Sequence, residues 1–552
     1  MPYTIGIDFG TLSGRALLVD THDGREVATA VYDYPHGVID HALPTGERLP
    51  PEWALQHPQD YLDVLTHTIP AVLRTSGVSP AEIVGLGIAF TASSPMPALR
   101  DGTPLCFLPA FVHEPHAYVK LWKHHASQPQ ADRINETARQ RGEDWLKRYG
   151  GKYSSEWFFS KLLQVLEEAP HVYQAIEVYI ECADWIVWQL TGNLTRNTCT
   201  AGYKMLVQDG RYPARAYFAA LDPRFADVIA QKVPGDFIAL GARAGALTAP
   251  MAAQIGLPAG IAVASGNVDA HVTAPAAQAT DPGVMLMIMG TSTCHVMSAP
   301  ALQVVEGMCG VVDGGIIDGL YGYEAGQSGV GDIFAWFVEH AVPPEYHRAA
   351  ADAGLSLYEL LERDAAAQQP GEHGLIALDW WNGNRSTLVD ADLSGLVLGM
   401  TLATRAPDIY RALIEATAFG TRVIIEAFLA QGIDVRELVA AGGLPDKNAL
   451  LRQIYADVTG RAIGLAGSGQ SAALGAAIHA AAAADAYPDV SAAAARMGKR
   501  SPHIVKPIPE HQAAYDALYR EYLALYDTFG RGVNDVMKRL KRLRQTVRKT
   551  ER

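Results

Sequence analysis

Asp269 stands where open α/β sheets place their chemistry. In Ala264-Ser265-Gly266-Asn267-Val268-Asp269-Ala270-His271, the apolar run Gly260 to Ala264 reads as a buried strand ending abruptly in small residues. Asp269 then lies at a strand mouth, ahead of an Ala-rich helix start, and strand mouths are where such sheets bind ligands. A carboxylate walled by apolar chain suits removal of a proton from a substrate hydroxyl. The same residue also fits a helix cap, where Asp is favoured.

Two small-residue turns frame this carboxylate. Residues 4–9 form an apolar strand signal, Gly10-Thr11-Leu12-Ser13-Gly14 a turn, and Arg15 to Val19 a second strand. Asp20-Thr21-His22-Asp23-Gly24 turns again into a third strand, Glu26 to Tyr32, completing an antiparallel meander. Gly10 and Gly14 let backbone approach a ligand, and the turn can aim several N–H groups and two hydroxyls at one anion. Asp8 beside an anion is unfavourable unless a cation bridges them, which points to a Mg²⁺-nucleotide, against an ordinary hairpin turn. The pattern returns as a strand from Gly283 to Met289, Gly290-Thr291-Ser292-Thr293, then Cys294 to Met297. Two copies about half a chain apart mark duplicated domains.

Other stretches supply polar groups or platforms. The strand around Ile83 to Phe90 runs into Thr91-Ala92-Ser93-Ser94, another small polar strand end. Helices are expected over Glu156 to Glu168, Glu181 to Leu190 and Thr404 to Gln431. Lys204 falls in a polar loop, Thr198 to Met205, that could line a cleft, and Glu324 at the bend where a strand becomes a Gly-rich loop. Leu438 to Ala441 leads into Gly442-Gly443, bare backbone suited to a flat or anionic ligand. Gly467-Ser468-Gly469-Gln470-Ser471-Ala472 formally matches a dinucleotide fingerprint, but no acidic residue follows at the required distance. Close packing of the Ala-rich helix Ala472 to Ala484 accounts for those small residues. His113, His116, His124 and His125 read as exposed histidines, since no carboxylate pattern accompanies them.

Composition bounds the answer. A chain of 552 residues exceeds the ~250–300 at which single cores stop growing, so two domains are expected, divided as 1–262 and 263–552. The formal charge of −14 argues against a nucleic-acid partner, and the basic stretch from Lys538 to Arg552 reads as a solvated helix end. Five scattered cysteines give neither a zinc pattern nor a disulfide framework. With no signal core and no membrane-length apolar run, the expectation is a protein of the reducing cytoplasm without a membrane partner. Oligomeric state is not read from these features, and a homodimer stays open.

Taken together, Asp8-Phe9-Gly10-Thr11-Leu12-Ser13-Gly14-Arg15, Gly290-Thr291-Ser292 and Ala441-Gly442-Gly443 with Asn448 resemble the two phosphate motifs and the adenosine motif of the FGGY carbohydrate kinases. The resemblance covers essentially the whole chain. It implies an α/β fold of two duplicated actin/hexokinase-like (ribonuclease H-like) domains flanking a catalytic cleft, and a co-substrate, ATP, with Mg²⁺. It further implies nucleotide contacts from Gly10, Thr11, Ser13, Arg15, Gly290, Thr291, Ser292, Gly442, Gly443 and Asn448, and metal contacts from Asp8 and Asp269. The segments Gly266 to His271, Tyr323 to Ser328 and Leu121 to His125 resemble the branch that phosphorylates O5 of L-ribulose in arabinose catabolism, with D-ribulose as a further substrate to consider. That branch implies a sugar held by Ala92, Lys204, Asp269 and Glu324, with Asp269 as catalytic base. Ala89 departs from the family, where an Asp is expected. A family member acting on xylulose, ribitol or glycerol is the alternative; a non-enzymatic ATP-driven binding protein would need a peptide-binding appendage that no β-rich tail after residue 500 supplies.

Overall fold

The computed structural model describes residues 2–550. Its first sheet contains β1 (Tyr3–Phe9), β2 (Ser13–Asp20), β3 (Glu26–Asp33), β4 (Ile83–Phe90), β5 (Arg243–Ala246), β6 (Ala262–Ala264) and β7 (Asn267–Val268). The second contains β8 (Val284–Met289), β9 (Thr293–Ala299), β10 (Gly310–Asp313), β11 (Tyr321–Gln327), β12 (Glu437–Ala441), β13 (Ile463–Ala466) and β14 (Arg500–Val505). The first runs β3-β2-β1-β4-β6-β5 and the second β11-β9-β8-β12-β13-β14, with β7 beside β4 and β10 beside β11. In both, the first three strands pair antiparallel, the next two pairings are parallel and the last is antiparallel. The expected duplication is therefore present strand for strand, and each glycine turn joins the central strand to its antiparallel neighbour. The first sheet runs on through β6 and β7, past the division expected near residue 262.

The lobes are joined by a helix that belongs to one and lies on the other. Helices that position the site are α1 (Phe158–Glu168), α2 (Thr198–Lys204), α3 (Asp269–Ala276), α4 (Ala406–Ala430) and α5 (Ser471–Ala483). α5 follows β13 of the second sheet but packs across β1 and β4 of the first. A Cβ on Gly6 would lie 1.8 Å from the Ala473 carbonyl oxygen, one on Gly87 1.9 Å from that of Ala476, and one on Gly475 1.8 Å from that of Val272. The Thr4 hydroxyl donates to the Ala477 carbonyl at 3.0 Å. Only alanine and glycine permit this approach, which is why the segment mimics a nucleotide fingerprint. Ala89 is fully buried in the same layer against Val272 and Ala476, so the Asp expected there would meet a packed apolar wall.

A second contact crosses the cleft. The segment Thr198 to Met205, expected as a loop, is the helix α2, because the Asn197 side chain caps it by accepting the Thr200 N–H at 2.7 Å. Its Tyr203 ring fills a socket in the second lobe: added Cβ atoms on Gly310, Gly315 and Gly322 would lie 2.6, 2.7 and 2.7 Å from Tyr203 atoms. Those glycines also correct the expected bend at Glu324, which instead occupies the middle of β11. The strand is Gly-rich to admit a neighbour, not to turn. α2 itself rests on an aromatic core of the first lobe that includes Tyr149, Tyr153 and Phe159.

The histidine expectation also changes. His116 and His124 are buried, each edge-on to Trp53 with centroids 4.8 and 4.9 Å away, and His124 meets the Gln164 side-chain oxygen at 2.9 Å. The basic tail forms a helix, Val536–Thr550, tied down by Lys538–Asp390 and Lys541–Asp392 pairs at 2.6 and 2.8 Å; Glu551 and Arg552 lie outside the described residues. No helix among the described residues is long and apolar enough to cross a membrane.

If the α5 contact sets lobe geometry, Gly87→Val forces β4 off the helix. A fall in Tm above ~5 °C is expected by differential scanning fluorimetry. Gly469→Ala, with open space around its Cβ, should stay within about 1 °C. Equal melting of both variants would contradict the contact.

Candidate active site

Register brings the two central carboxylates to one sheet edge. Asp8 pairs with Ala89, and Ala89 with Asn267, so β1, β4 and β7 end together and Asp269 follows directly. Asp269 is the first residue of α3, with Val268 in the cap position, so the cap reading does not hold. Its carboxylate accepts the Ala270 N–H at 2.7 Å, and its carbonyl accepts the Thr273 hydroxyl at 2.9 Å. Burial raises the Asp8 pKa to about 6, against the pull of Arg15, whose Nε lies 3.5 Å from the carboxylate. Burial, then the charge of Asp8, raises Asp269 to about 7. Such a carboxylate is poised to gain or lose a proton near neutrality.

Beyond Asp269 lies a polar pocket made by both lobes. Lys204 Nζ, from α2, meets Glu324 Oε2 of β11 at 3.3 Å, with both side chains about 95% buried. His271 Nε2, from α3, lies 3.4 Å from the same oxygen, and Arg385 takes Glu324 Oε1. Burial alone would raise the Glu324 pKa, but Lys204, His271 and Arg385 outweigh it and hold the carboxyl well below its ordinary value. The His271 ring stacks on Tyr203 with centroids 4.4 Å apart, and Lys204 Nζ lies 5.1 Å from the Trp157 ring. Ala92 and Ala270 pack beside Tyr203 and Val268 at the pocket wall.

A buried polar network fixes the loop carrying Ala92. Glu181 accepts the Ser94 N–H at 2.7 Å and the Ser93 hydroxyl. Lys161, from α1, donates to the Ser93 and Leu121 carbonyls, each at 2.8 Å. Burial lowers Lys161 to about 7 and raises Glu181. Lys161, Glu181, His271 and Arg385 are site residues that sequence reasoning did not single out. Only His271 had a local signal, two residues after Asp269; the others act through partners distant in the chain.

Each glycine turn is closed by the N–H of its first glycine, across four residues in the first lobe and three in the second. Gly10 N–H donates to Ser13 O at 3.0 Å, and Gly290 N–H to Ser292 O at 2.9 Å. Thr11 accepts the Trp122 indole N–H on its hydroxyl at 3.1 Å and the Gln56 amide on its carbonyl at 2.7 Å. The Gly290 carbonyl accepts the Gly331 N–H at 3.0 Å, and the Thr291 carbonyl the Val330 and Asp332 N–H groups at 2.9 and 3.2 Å. Gly442, at φ 100°, lies beside this turn: its added Cβ would be 2.4 Å from Met289 O, whereas Gly443 opens to free space. Asn448 is otherwise engaged. It caps the next helix through Leu451 N–H at 2.8 Å and donates to the Tyr410 hydroxyl at 3.1 Å, so it shapes the platform from below.

Comparison with known proteins matches this arrangement. Residues 3–275 match the N-terminal domain of the FGGY family of carbohydrate kinases, and residues 285–484 its C-terminal domain. The chain is 58% identical over 551 residues to a protein named ribulokinase from Mycolicibacterium smegmatis, covering 100% of this chain and 98% of the relative. It is 56% identical to a ribulokinase from Anoxybacillus flavithermus, covering 99% and 98%. Among solved structures, xylulose kinase from Rhodospirillum rubrum shares the fold with a TM-score of 0.78 at 23% identity, covering 95% of this chain and 98% of that one. The ligand-bound xylulose kinase from Lactobacillus acidophilus does so with 0.77 at 18%, covering 96% and 98%. With both family domains matched in order across two strand-for-strand equivalent lobes, the chain belongs to the FGGY family of carbohydrate kinases.

Proposed function

We propose that the protein is a ribulokinase that transfers the γ-phosphoryl group of ATP to O5 of L-ribulose. The observation that carries the chemistry is Asp269, near pKa 7, set between the Asp8 turn and the Lys204–Glu324 pocket. The substrate comes from the full-length relatives named ribulokinase. The xylulose kinases share the fold at lower identity and give no reason to prefer xylulose.

Phosphoryl transfer depends on positioning and charge neutralisation more than on covalent chemistry. In this reading Asp269 accepts the O5 proton, and Lys204 and Glu324 hold sugar hydroxyls with charge-assisted hydrogen bonds. Ala92 contributes a small wall that lets the sugar approach the strand ends. Thr11, Ser13 and Arg15 from one turn and Gly290, Thr291 and Ser292 from the other grip the phosphates, while Gly442 and Gly443 offer bare backbone to adenosine. Asp8 and Asp269 suit Mg²⁺. Both carboxyls lie above their ordinary range, Asp269 partly through repulsion by Asp8, and a divalent cation relieves that repulsion. Two carboxylates are the donor set Mg²⁺ takes when phosphate and water fill its remaining positions, and when bound it would neutralise phosphate charge.

A coupled ADP-release assay with MgATP over L-ribulose, D-ribulose, D-xylulose, ribitol and glycerol tests the substrate. Turnover highest on L-ribulose is expected; ATP consumption indifferent to every sugar would overturn the kinase reading. Asp269→Asn should lower kcat by ~10²–10⁴-fold while leaving the fold intact by circular dichroism. Near-normal turnover would remove Asp269 as the base.

The pH profile carries a sign. Only ionised Asp269 accepts a proton, so kcat/KM should rise with pH and then level, with the rise at or below about 7 because bound Mg²⁺ relieves the repulsion from Asp8. A rate that falls across this range as pH increases contradicts the assignment.

A further inference from the structure

Arg385 has been described only as a partner of Glu324, yet its surroundings are built to present it. It sits on a loop of the second lobe that is pinned on both sides. Gly326 N–H donates to Ser386 Oγ at 3.2 Å, Leu388 N–H to Asn384 Oδ1 at 2.9 Å, and Asn384 and Asp390 exchange backbone bonds at 2.9 and 2.8 Å. The arginine stem lies across β11 where Gly326 leaves room: a Cβ there would be 3.0 Å from Arg385 Cδ. One guanidinium N–H is spent on Glu324. No other hydrogen bond from Arg385 is made among the described residues, and 36% of its side chain is exposed. The remaining donors of a five-donor fork are therefore free beside the sugar pocket.

The chemistry of the substrate says what such donors meet. A ketopentose closes its furanose ring through O5 onto C2. A molecule with O5 free to be phosphorylated is thus the open-chain form, which carries a free C2 carbonyl. That oxygen only accepts hydrogen bonds, whereas the C2 hydroxyl of the matching pentitol can donate or accept. Lys204 spends one of its three N–H groups on Glu324, and the reading above gives the others to sugar hydroxyls.

Building on the ribulokinase reading, we infer that Arg385 is a substrate-contacting specificity residue whose free N–H groups donate to the C2 carbonyl of an open-chain 2-ketopentose and separate it from the corresponding pentitol. Loss of the fork leaves a buried acceptor without a donor, and an unpaired polar group is what sites use to discriminate. The pentitol, able to turn its hydroxyl to other partners, depends less on Arg385.

The test compares the wild-type protein with Arg385→Met and Arg385→Lys, the second keeping a cation beside Glu324. Arg385→Met should raise KM for L-ribulose ~10–100-fold, leaving the inhibition constant of ribitol and KM for ATP within ~3-fold, with Arg385→Lys intermediate. Equal weakening of L-ribulose and ribitol would show that Arg385 merely orders Glu324 and would overturn the inference, as would unchanged L-ribulose kinetics in an active Arg385→Met enzyme. A wild-type protein inactive on every sugar would instead bring down the ribulokinase reading beneath it.

Discussion

The site depends on one buried ion pair made across two lobes. Lys204 and Glu324 come from different sheets and lose most of their hydration. Burying such charges is unfavourable unless geometry and further partners compensate, and removing one partner typically costs ~3–5 kcal/mol. The compensation is visible. His271 and Arg385 surround Glu324, and Tyr203, adjacent to Lys204, is held in a socket of glycines. These are contacts between protein groups, so the end of the cleft proposed to take the sugar is held without help from nucleotide. The phosphate turns carry no comparable cross-lobe pair among the described residues, and that is the end where closure can exclude water.

Three carboxylates in this small region are tuned in different directions by their surroundings. Glu324, ringed by cations, stays ionised and can only accept hydrogen bonds. Asp269, buried beside the negative Asp8, is pushed to about 7 and can take up a proton. Asp8, buried but opposite Arg15, falls between at about 6. Divergent environments of this kind let one scaffold hold both the ionised acceptor and the base that the proposed reaction needs. Lys161 and Glu181 make a fourth layer behind them, fixing the loop that carries Ala92.

Much of this was legible in the chain wherever the signal is local. Asp8, Asp269 and both glycine turns stand in short strand–turn contexts, and the duplicated pattern carried the two-lobe fold. Elements shaped by distant neighbours carry no such local signal. Thr198 to Lys204 looked like a loop because its helix is short and rests on one Asn197 cap. The glycines of β11 read as a turn because their causes, Tyr203 against Gly322 and Arg385 against Gly326, lie far away in sequence. His116 and His124 are buried by Trp53, more than sixty positions upstream, which no periodicity reveals. Arg385 has no local motif at all.

The central claim is that contacts across the lobes assemble the sugar pocket before nucleotide arrives. Isothermal titration of L-ribulose into the nucleotide-free protein tests it most directly. The account predicts saturable one-to-one binding, lost in a Glu324→Ala variant that remains folded. Sugar binding detectable only after addition of a non-hydrolysable ATP analogue with Mg²⁺ would contradict it.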